Sequence, residues 1–293
     1  MNIRRSLFTV VVGLSAGLWV GIEQVQAEVK TIADIEYANI EGTSLQLDLY
    51  LPEEEKQPRL VVWVHGGGWV QGSRKKPAFA WMAEEGYAVA SISYRFSDKA
   101  AFPAQIYDCK GAIRWLRAHA EEYGYNADKI VAGGASAGGH LVALLGTSGD
   151  VQELEGSVGG NLDQSSRIQG VIDLYGATDF ILRSQTQTEK LNSPDSYVYQ
   201  LFGGPPKEKM ELLRSASAVT FISADDPPML VLHGVEDKVV LPGQSERINE
   251  AYLEAGLPVE LIMIDGAGHG GSPFSTPEIK QKMREFVMSC FAE

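Results

Sequence analysis

The sequence predicts an α/β protein with a mostly parallel central sheet flanked by helices. Short apolar runs alternate with helical patterns from about residue 60 to the C-terminus. The run at 60–64, Leu60-Val61-Val62-Trp63-Val64, is continuously apolar, as a strand buried on both faces requires. The chemically interesting residues fall just after such runs, where sheets of this kind bind ligands.

Taken in order, 36–42 and 44–51 read as two short strands, the second alternating Leu45, Leu47, Leu49 and Leu51. A charged loop flanked by Pro52 and Pro58 precedes the 60–64 strand. Residues 76–86 read as a helix closed by Gly86 and 88–94 as the next strand. A long helix is expected from Pro103 to about residue 123, with Ile106, Cys109, Ile113, Leu116 and Ala120 at helical spacing. The run Lys129-Ile130-Val131-Ala132 leads into a Gly-rich turn, and 140–145 lead out as a helix. Residues 149–166 are polar and Gly-rich, a surface loop, and 168–175 form the sixth strand. The alternation then breaks. Residues 180–226 carry polar runs, Tyr197, Tyr199, Phe202 and Gly203-Gly204-Pro205-Pro206, and read as a lid-like insertion of short helices over the sheet. A strand at 228–232, a helix at 242–256, a last strand at 259–264 and a last helix at 277–291 complete the chain.

Residues 1–27 read as a signal peptide: Arg4-Arg5, an apolar stretch from Leu7 to Val20, and small residues at Val25-Gln26-Ala27. Arg4-Arg5-Ser6-Leu7-Phe8 also resembles a twin-arginine signal. An exported protein with a single domain at 28–293 is therefore expected, with no membrane association once the signal is removed. The formal charge of −13 argues against nucleic acid as a partner. Cys109 and Cys290 both fall in helical patterns, where buried thiols are expected rather than a disulfide.

The turn after residue 132 is Gly133-Gly134-Ala135-Ser136-Ala137-Gly138-Gly139-His140. It contains G-x-S-x-G between a strand and a helix, the context in which that pattern places a nucleophilic serine on a sharp turn. The following helix directs its N–H groups at Ser136, favouring negative charge there. A serine hydroxyl needs a base. Of five histidines, His269 lies in a flexible loop past the last strand and can reach across the carboxyl edge. His65 is expected to brace its loop, His140 to make a structural hydrogen bond, and His119 to be solvated. His233 closes a strand and is a weaker candidate base. The base needs a carboxylate to hold its tautomer. Asp237 follows the preceding strand, with Glu236, Asp226 and Asp179 as alternatives. A tetrahedral oxyanion needs preorganised N–H donors. The glycines after His65 leave their amides unobstructed, so Gly67 and Gly68, with Ala137, are the expected oxyanion hole. Trp69 and Tyr175 are expected pocket walls. No Cys/His cluster or His-Glu-x-x-His pattern points to a metal, and no phosphate-cradle motif points to a nucleotide cofactor.

Taken together, these residues resemble the α/β-hydrolase esterase and lipase superfamily. The motifs are His65-Gly-Gly-Gly-Trp69, Tyr94-Arg95, Phe102-Pro-Ala-Gln105 with Asp108, Trp115-Leu116-Arg117 and Gly134-Ala-Ser-Ala-Gly-Gly-His140. They continue through Gly203-Gly204-Pro205, Ala224-Asp-Asp-Pro-Pro228, His233-Gly234 with Asp237, and Gly268-His269. The chain is most similar to secreted bacterial esterases that act on acetyl and feruloyl groups of plant polysaccharide. The resemblance implies the α/β-hydrolase fold, a Ser136–His269–Asp237 triad, no cofactor, and a small-molecule or polysaccharide-linked ester as substrate. The hormone-sensitive-lipase-like branch shares the His-Gly-Gly-Gly motif but carries an N-terminal helical cap. Here residues 28–64 read as strands, so an open pocket is expected. Three other readings stand beside it: a serine peptidase of the prolyl-oligopeptidase kind, a formamidase, and a catalytically silent binding module.

Overall fold

The computed structural model describes residues 28–292; the expected signal peptide lies outside them. Eight strands form one sheet in the order β1-β2-β4-β3-β5-β6-β7-β8. They are β1 (Val29–Ile40), β2 (Thr43–Pro52), β3 (Arg59–Val64), β4 (Ala88–Ile92), β5 (Asn126–Ala135), β6 (Gly170–Leu174), β7 (Met229–Gly234) and β8 (Val259–Ile264). β1–β2 and β2–β4 pair antiparallel, and every other pair is parallel. This is the α/β-hydrolase architecture expected from the alternation of runs. The helices are α1 (Ala80–Ala83), α2 (Ala104–Ala118), α3 (Ala120–Tyr123), α4 (Ala137–Thr147), α5 (Phe180–Thr186), α6 (Thr188–Asn192), α7 (Tyr197–Phe202), α8 (Met210–Ala216), α9 (Gly243–Glu254) and α10 (Pro277–Ala292).

The side-chain period of two in each strand divides the core. Leu60, Val62, Val64, Ile130, Ala132 and Val231 face one layer, which α2, α4, α9 and the insertion cover. Val61, Trp63, Val131, Ile172, Leu230 and Leu232 face the other, covered by α1 and α10. Each such fully buried aliphatic side chain contributes on the order of 1.5–3 kcal/mol. Cys109 packs in the first layer and Cys290 in the second, so the sheet stands between the two thiols and no disulfide joins them.

Three elements differ from the sequence reading. β1 begins seven residues earlier than 36, because it is an edge strand with register shifts between Ile32 and Ile35 and between Glu36 and Ala38; these shifts break the alternation on which the reading relied. The helix expected over 76–86 shrinks to α1, since Pro77 biases Lys76 away from helical dihedrals and Lys76 takes φ 56°. The long helix to residue 123 is interrupted at His119, the C-cap of α2.

The insertion between β6 and β7 is not a detached flap. Phe180, Val198, Leu201, Phe202, Leu213 and Ala216 are all buried in the first layer. The Phe180 ring meets those of Phe202 and His140 edge-on at 5.3 and 4.9 Å.

Candidate active site

β5 ends at Ala135 and α4 begins at Ala137, leaving Ser136 alone on the bend at φ 54° and ψ −112°. A β-bearing residue held in that region is strained, and the strain persists only where neighbours over-determine it. Here the Ser136 amide donates to Leu174 O at 2.8 Å and its carbonyl accepts from the His140 amide at 2.9 Å. Gly138 lets α4 start so close to β3 that a Cβ there would overlap the carbonyl oxygen of Val64.

The Ser136 hydroxyl donates to His269 Nε2 at 2.8 Å, and His269 Nδ1–H donates to Asp237 Oδ2 at 2.6 Å. That order of bonds selects the tautomer with its proton on Nδ1. Asp237 is 2% exposed. Its Oδ1 accepts from the amides of Val239 and Val240 at 2.8 and 3.1 Å, and its Oδ2 also lies 3.2 Å from His233 Nε2. Burial alone raises a carboxyl's pKa. Hydrogen bonds from His233, His269 and the Val239 amide outweigh it and hold Asp237 well below the usual carboxylate range.

The other histidines have separate duties. His233 donates from Nε2 to Val240 O at 2.9 Å and accepts from Ser245 Oγ at 2.6 Å, so it shapes the loop that carries Asp237. His65 bonds Gly66 O through Nδ1 at 2.7 Å and stacks on Tyr94 at 4.5 Å, bracing the glycine loop. His140 accepts from Trp69 Nε1 at 3.1 Å and donates from Nε2 to Ala216 O at 2.9 Å. Total burial pulls its imidazole down to about 3 and keeps it neutral. His119, expected to be solvated, instead is half-buried and stacks on Trp115 at 4.0 Å. The alternative carboxylates are placed elsewhere. Glu236 is exposed, Asp226 accepts from Ser223, and Asp179 caps α5 by accepting from the Leu182 amide at 2.9 Å.

A cavity of about 620 Å³ opens beside Ser136 and His269, and Gly67, Gly68, Trp69 and Ala137 line it. Gly67 and Gly68 adopt φ 111° and 62°. Among the described residues, the amides of Gly67, Gly68 and Ala137 have no hydrogen-bond acceptor. Three free donors therefore sit on the cavity wall next to one hydroxyl. Trp69 is fixed there by its bond to His140 and itself takes φ 61°. Tyr175 is placed outside this lining. Its ring meets that of His269 edge-on at 4.8 Å and Phe274 at 4.6 Å, so it backs the imidazole instead of facing the cavity.

The opposite wall comes from the insertion: Arg183, Lys190, Leu191, Tyr197 and Val198. The sequence reading assigned none of these to the site. They lie on short helices with no repeat period, and only the position of the insertion after β6 signalled that it would face the strand ends. The same segment holds the Asp237 loop. Val239 O accepts from Arg183 Nη2 at 3.1 Å and Gln187 Nε2 at 3.3 Å, and Lys238 O accepts from Lys190 Nζ at 3.2 Å.

The eight-stranded sheet and the serine bend define an α/β-hydrolase. More particularly, residues 47–252 match the BD-FAE family model, and the chain belongs to that family. It is 31% identical over 219 residues to esterase LipC of Mycobacterium tuberculosis, covering 73% of this chain and 53% of LipC. The chain thus spans about half the length of that relative. Among solved structures it superimposes with a TM-score of 0.83 on a truncated form of a carbohydrate esterase from gut microbiota. Identity there is 27%, over 92% of this chain and 98% of the other. Thermogutta terrifontis Est2, an esterase solved with propionate bound, gives a TM-score of 0.71 at 26% identity, over 91% of this chain and 95% of the other.

Proposed function

We propose that this chain is a serine carboxylesterase for short acyl esters, acetyl or feruloyl in type, carried on plant polysaccharide. The observation that carries the reading is the unbroken line Ser136 Oγ, His269 Nε2, His269 Nδ1, Asp237 Oδ2 ending at a cavity with three unsatisfied amides. Ser136 Oγ attacks the acyl carbonyl while His269 Nε2 takes its proton. The new oxyanion is met by the amides of Ala137 and of Gly67 or Gly68, donors worth on the order of 10²–10³ in rate each. His269 then protonates the leaving alcohol, and the ester C–O bond breaks to give an acyl-Ser136. Water, deprotonated by His269, releases the acid and restores the serine. Asp237 stays ionised throughout and stabilises the imidazolium.

The carbohydrate esterase and the propionate complex among the structural relatives support the short-acyl, glycan-linked side of this reading. Export, read from residues 1–27, belongs to the same proposal and is checked by the N-terminus of the mature protein. The deciding experiment is hydrolysis of p-nitrophenyl esters from acetate to laurate beside acetylated xylan and methyl ferulate. Acetate turnover with acetyl or feruloyl release from the glycan substrates is expected. Ser136→Ala should lower kcat by on the order of 10⁶ at unchanged Tm. Full turnover by that variant, or no labelling of the wild type by a fluorophosphonate, would end the proposal.

A further inference from the structure

Arg183 is 5% exposed and lines the cavity, yet among the described residues it has no carboxylate in direct contact. Its Nε–H donates to Gln187 Oε1 at 3.1 Å and one Nη2–H to Val239 O, both neutral acceptors. Nη1 has no acceptor among the described residues. Among the described residues the other buried cations, Arg114 and Lys110, both make direct ion pairs with the one carboxylate of Glu155. Even the less buried Arg95 and Arg74 pair with Asp108 at 2.7 Å and Asp48 at 2.9 Å. The charged carboxylate that acts on Arg183 is Asp237, but three hydrogen bonds and the His233 ring at 3.2 Å already surround its two oxygens, and it makes no direct ion pair with the guanidinium. Burial lowers the guanidinium to about 10, so it is still a full cation at neutral pH.

A buried cation with no direct ion pair is costly, and a ligand carboxylate on its free Nη1 edge would supply that pair. Clamping Val239 O does not require a cation, because the Gln187 amide bonds the same oxygen. Among the described residues a second cation, Lys190, lines the cavity without an ion pair, and Asp195 is the carboxylate in the lining. This locally positive wall stands in a chain of net charge −13. A cavity focuses such a field onto its ligand, and a guanidinium fork matches a carboxylate in shape as well as charge.

We propose that Arg183 is a carboxylate-binding residue of the cavity, so that the preferred ester carries a free carboxylate close to the scissile bond. The inference rests on the esterase reading and names its substrate class. The carboxylate has two sources: a uronate on the sugar that carries the ester, or the far end of a dicarboxylic acyl group. One pair of substrates tests each. The first pair is acetylated xylo-oligosaccharide with and without a glucuronosyl branch. The second is mono-p-nitrophenyl succinate against p-nitrophenyl butyrate.

In at least one pair the wild type should favour the anionic member by roughly 10- to 100-fold in kcat/KM, carried mainly by KM, the range expected of a hydrogen bond to a charged group. That ratio should shrink as sodium chloride is raised. Arg183→Gln should bring the ratio near one, and Arg183→Lys should restore part of it. A wild-type ratio near one in both pairs overturns the proposal. So does a ratio that Arg183→Gln leaves intact, which would make the residue only a clamp on the Asp237 loop. The wild-type ratio and its salt dependence decide the matter even if Arg183→Gln fails to fold. Calorimetry on Ser136→Ala with the branched and unbranched oligosaccharides gives the same comparison without turnover. Tighter binding of the branched member there, with no wild-type hydrolysis of any ester, would sink the esterase reading and leave the anion site standing. Equal binding of the two, with no hydrolysis, would remove both.

Discussion

The sheet side of the cavity presents backbone, and the insertion side presents side chains. On the first, Gly67 and Gly68 on the loop after β3 and Ala137 at the start of α4, just past β5, offer amides. On the second, Arg183, Lys190, Leu191 and Val198 reach in from α5, α6 and α7. Amides at strand ends move only if the sheet moves, so they suit a charge that appears in every turnover of the reaction. Side chains on short helices can be exchanged without disturbing the sheet, so they suit discrimination between substrates. Changes on the sheet side should therefore appear in kcat, and changes on the insertion side in KM and specificity.

The sharpest way to break that division is Asp237→Asn. Asp237 lies on the loop after β7, but α5 and α6 hold the loop from the insertion side through Val239 O and Lys238 O. The amide nitrogen cannot accept from His269 Nδ1–H, which favours the wrong imidazole tautomer. A loss on the order of 10⁴ in kcat is expected with KM changed only a few-fold. The measurement is steady-state kinetics on p-nitrophenyl acetate. A loss confined to KM would show that the loop serves binding rather than proton transfer.

The two sides also differ in how far the amino-acid sequence alone accounts for them. The sheet side is legible there because each of its features has a local cause. A continuous apolar run must be a buried strand, as at 60–64, and a glycine-flanked serine between strand and helix has few conformations open to it. Chain order puts His269 and Asp237 at strand ends, and the fold brings both to Ser136. The insertion side is not legible in the same way. Arg183 resembles any surface arginine until its burial is known, and Tyr175 follows a strand end like a pocket residue but turns to the back of His269. Trp69 and His140 each stand out in the sequence, but separately. Their bond, 71 residues apart, depends on how closely α4 packs beneath the glycine loop.

Gly68 is where the two sides touch, and it gives a smaller effect. A Cβ at Gly68 would overlap the ring of Tyr197. Gly68→Ala should displace either the amide or the ring and cost about 10² in kcat, the scale of one oxyanion donor. Tyr197 is 48% exposed and free to yield outward. Tyr197→Ala alone should alter KM by only a few-fold, and added to Gly68→Ala it should recover about half of the lost kcat on a logarithmic scale. Additive losses in the double variant would show that the strain lies in the positive φ of Gly68 and not in contact with the insertion.

The smallest expected effect concerns the seam. His140 accepts from Trp69 on the sheet side and donates to Ala216 at the end of α8. Burial lowers its pKa from 6.5 to about 3. Between those values the unfolded chain binds a proton that the folded chain refuses, so His140 contributes stability above about pH 6.5 that is lost as pH falls toward 3. The ceiling is about 1.4 kcal/mol per pH unit. Asp173, raised by burial to about 6, acts oppositely: the folded chain keeps its proton between 3.8 and 6, which favours folding as pH falls. Other shifted groups add to the wild-type profile, among them Asp226, raised by burial to about 6, and His65, lowered by burial, and His140→Gln removes only the His140 share. Urea unfolding at pH 4, 5, 6 and 7 should show the variant less stable than wild type at pH 7, with the gap closing toward pH 4. A gap independent of pH would mean that the unfolded chain shares the lowered pKa, and that the seam between sheet and insertion carries no proton-linked stability.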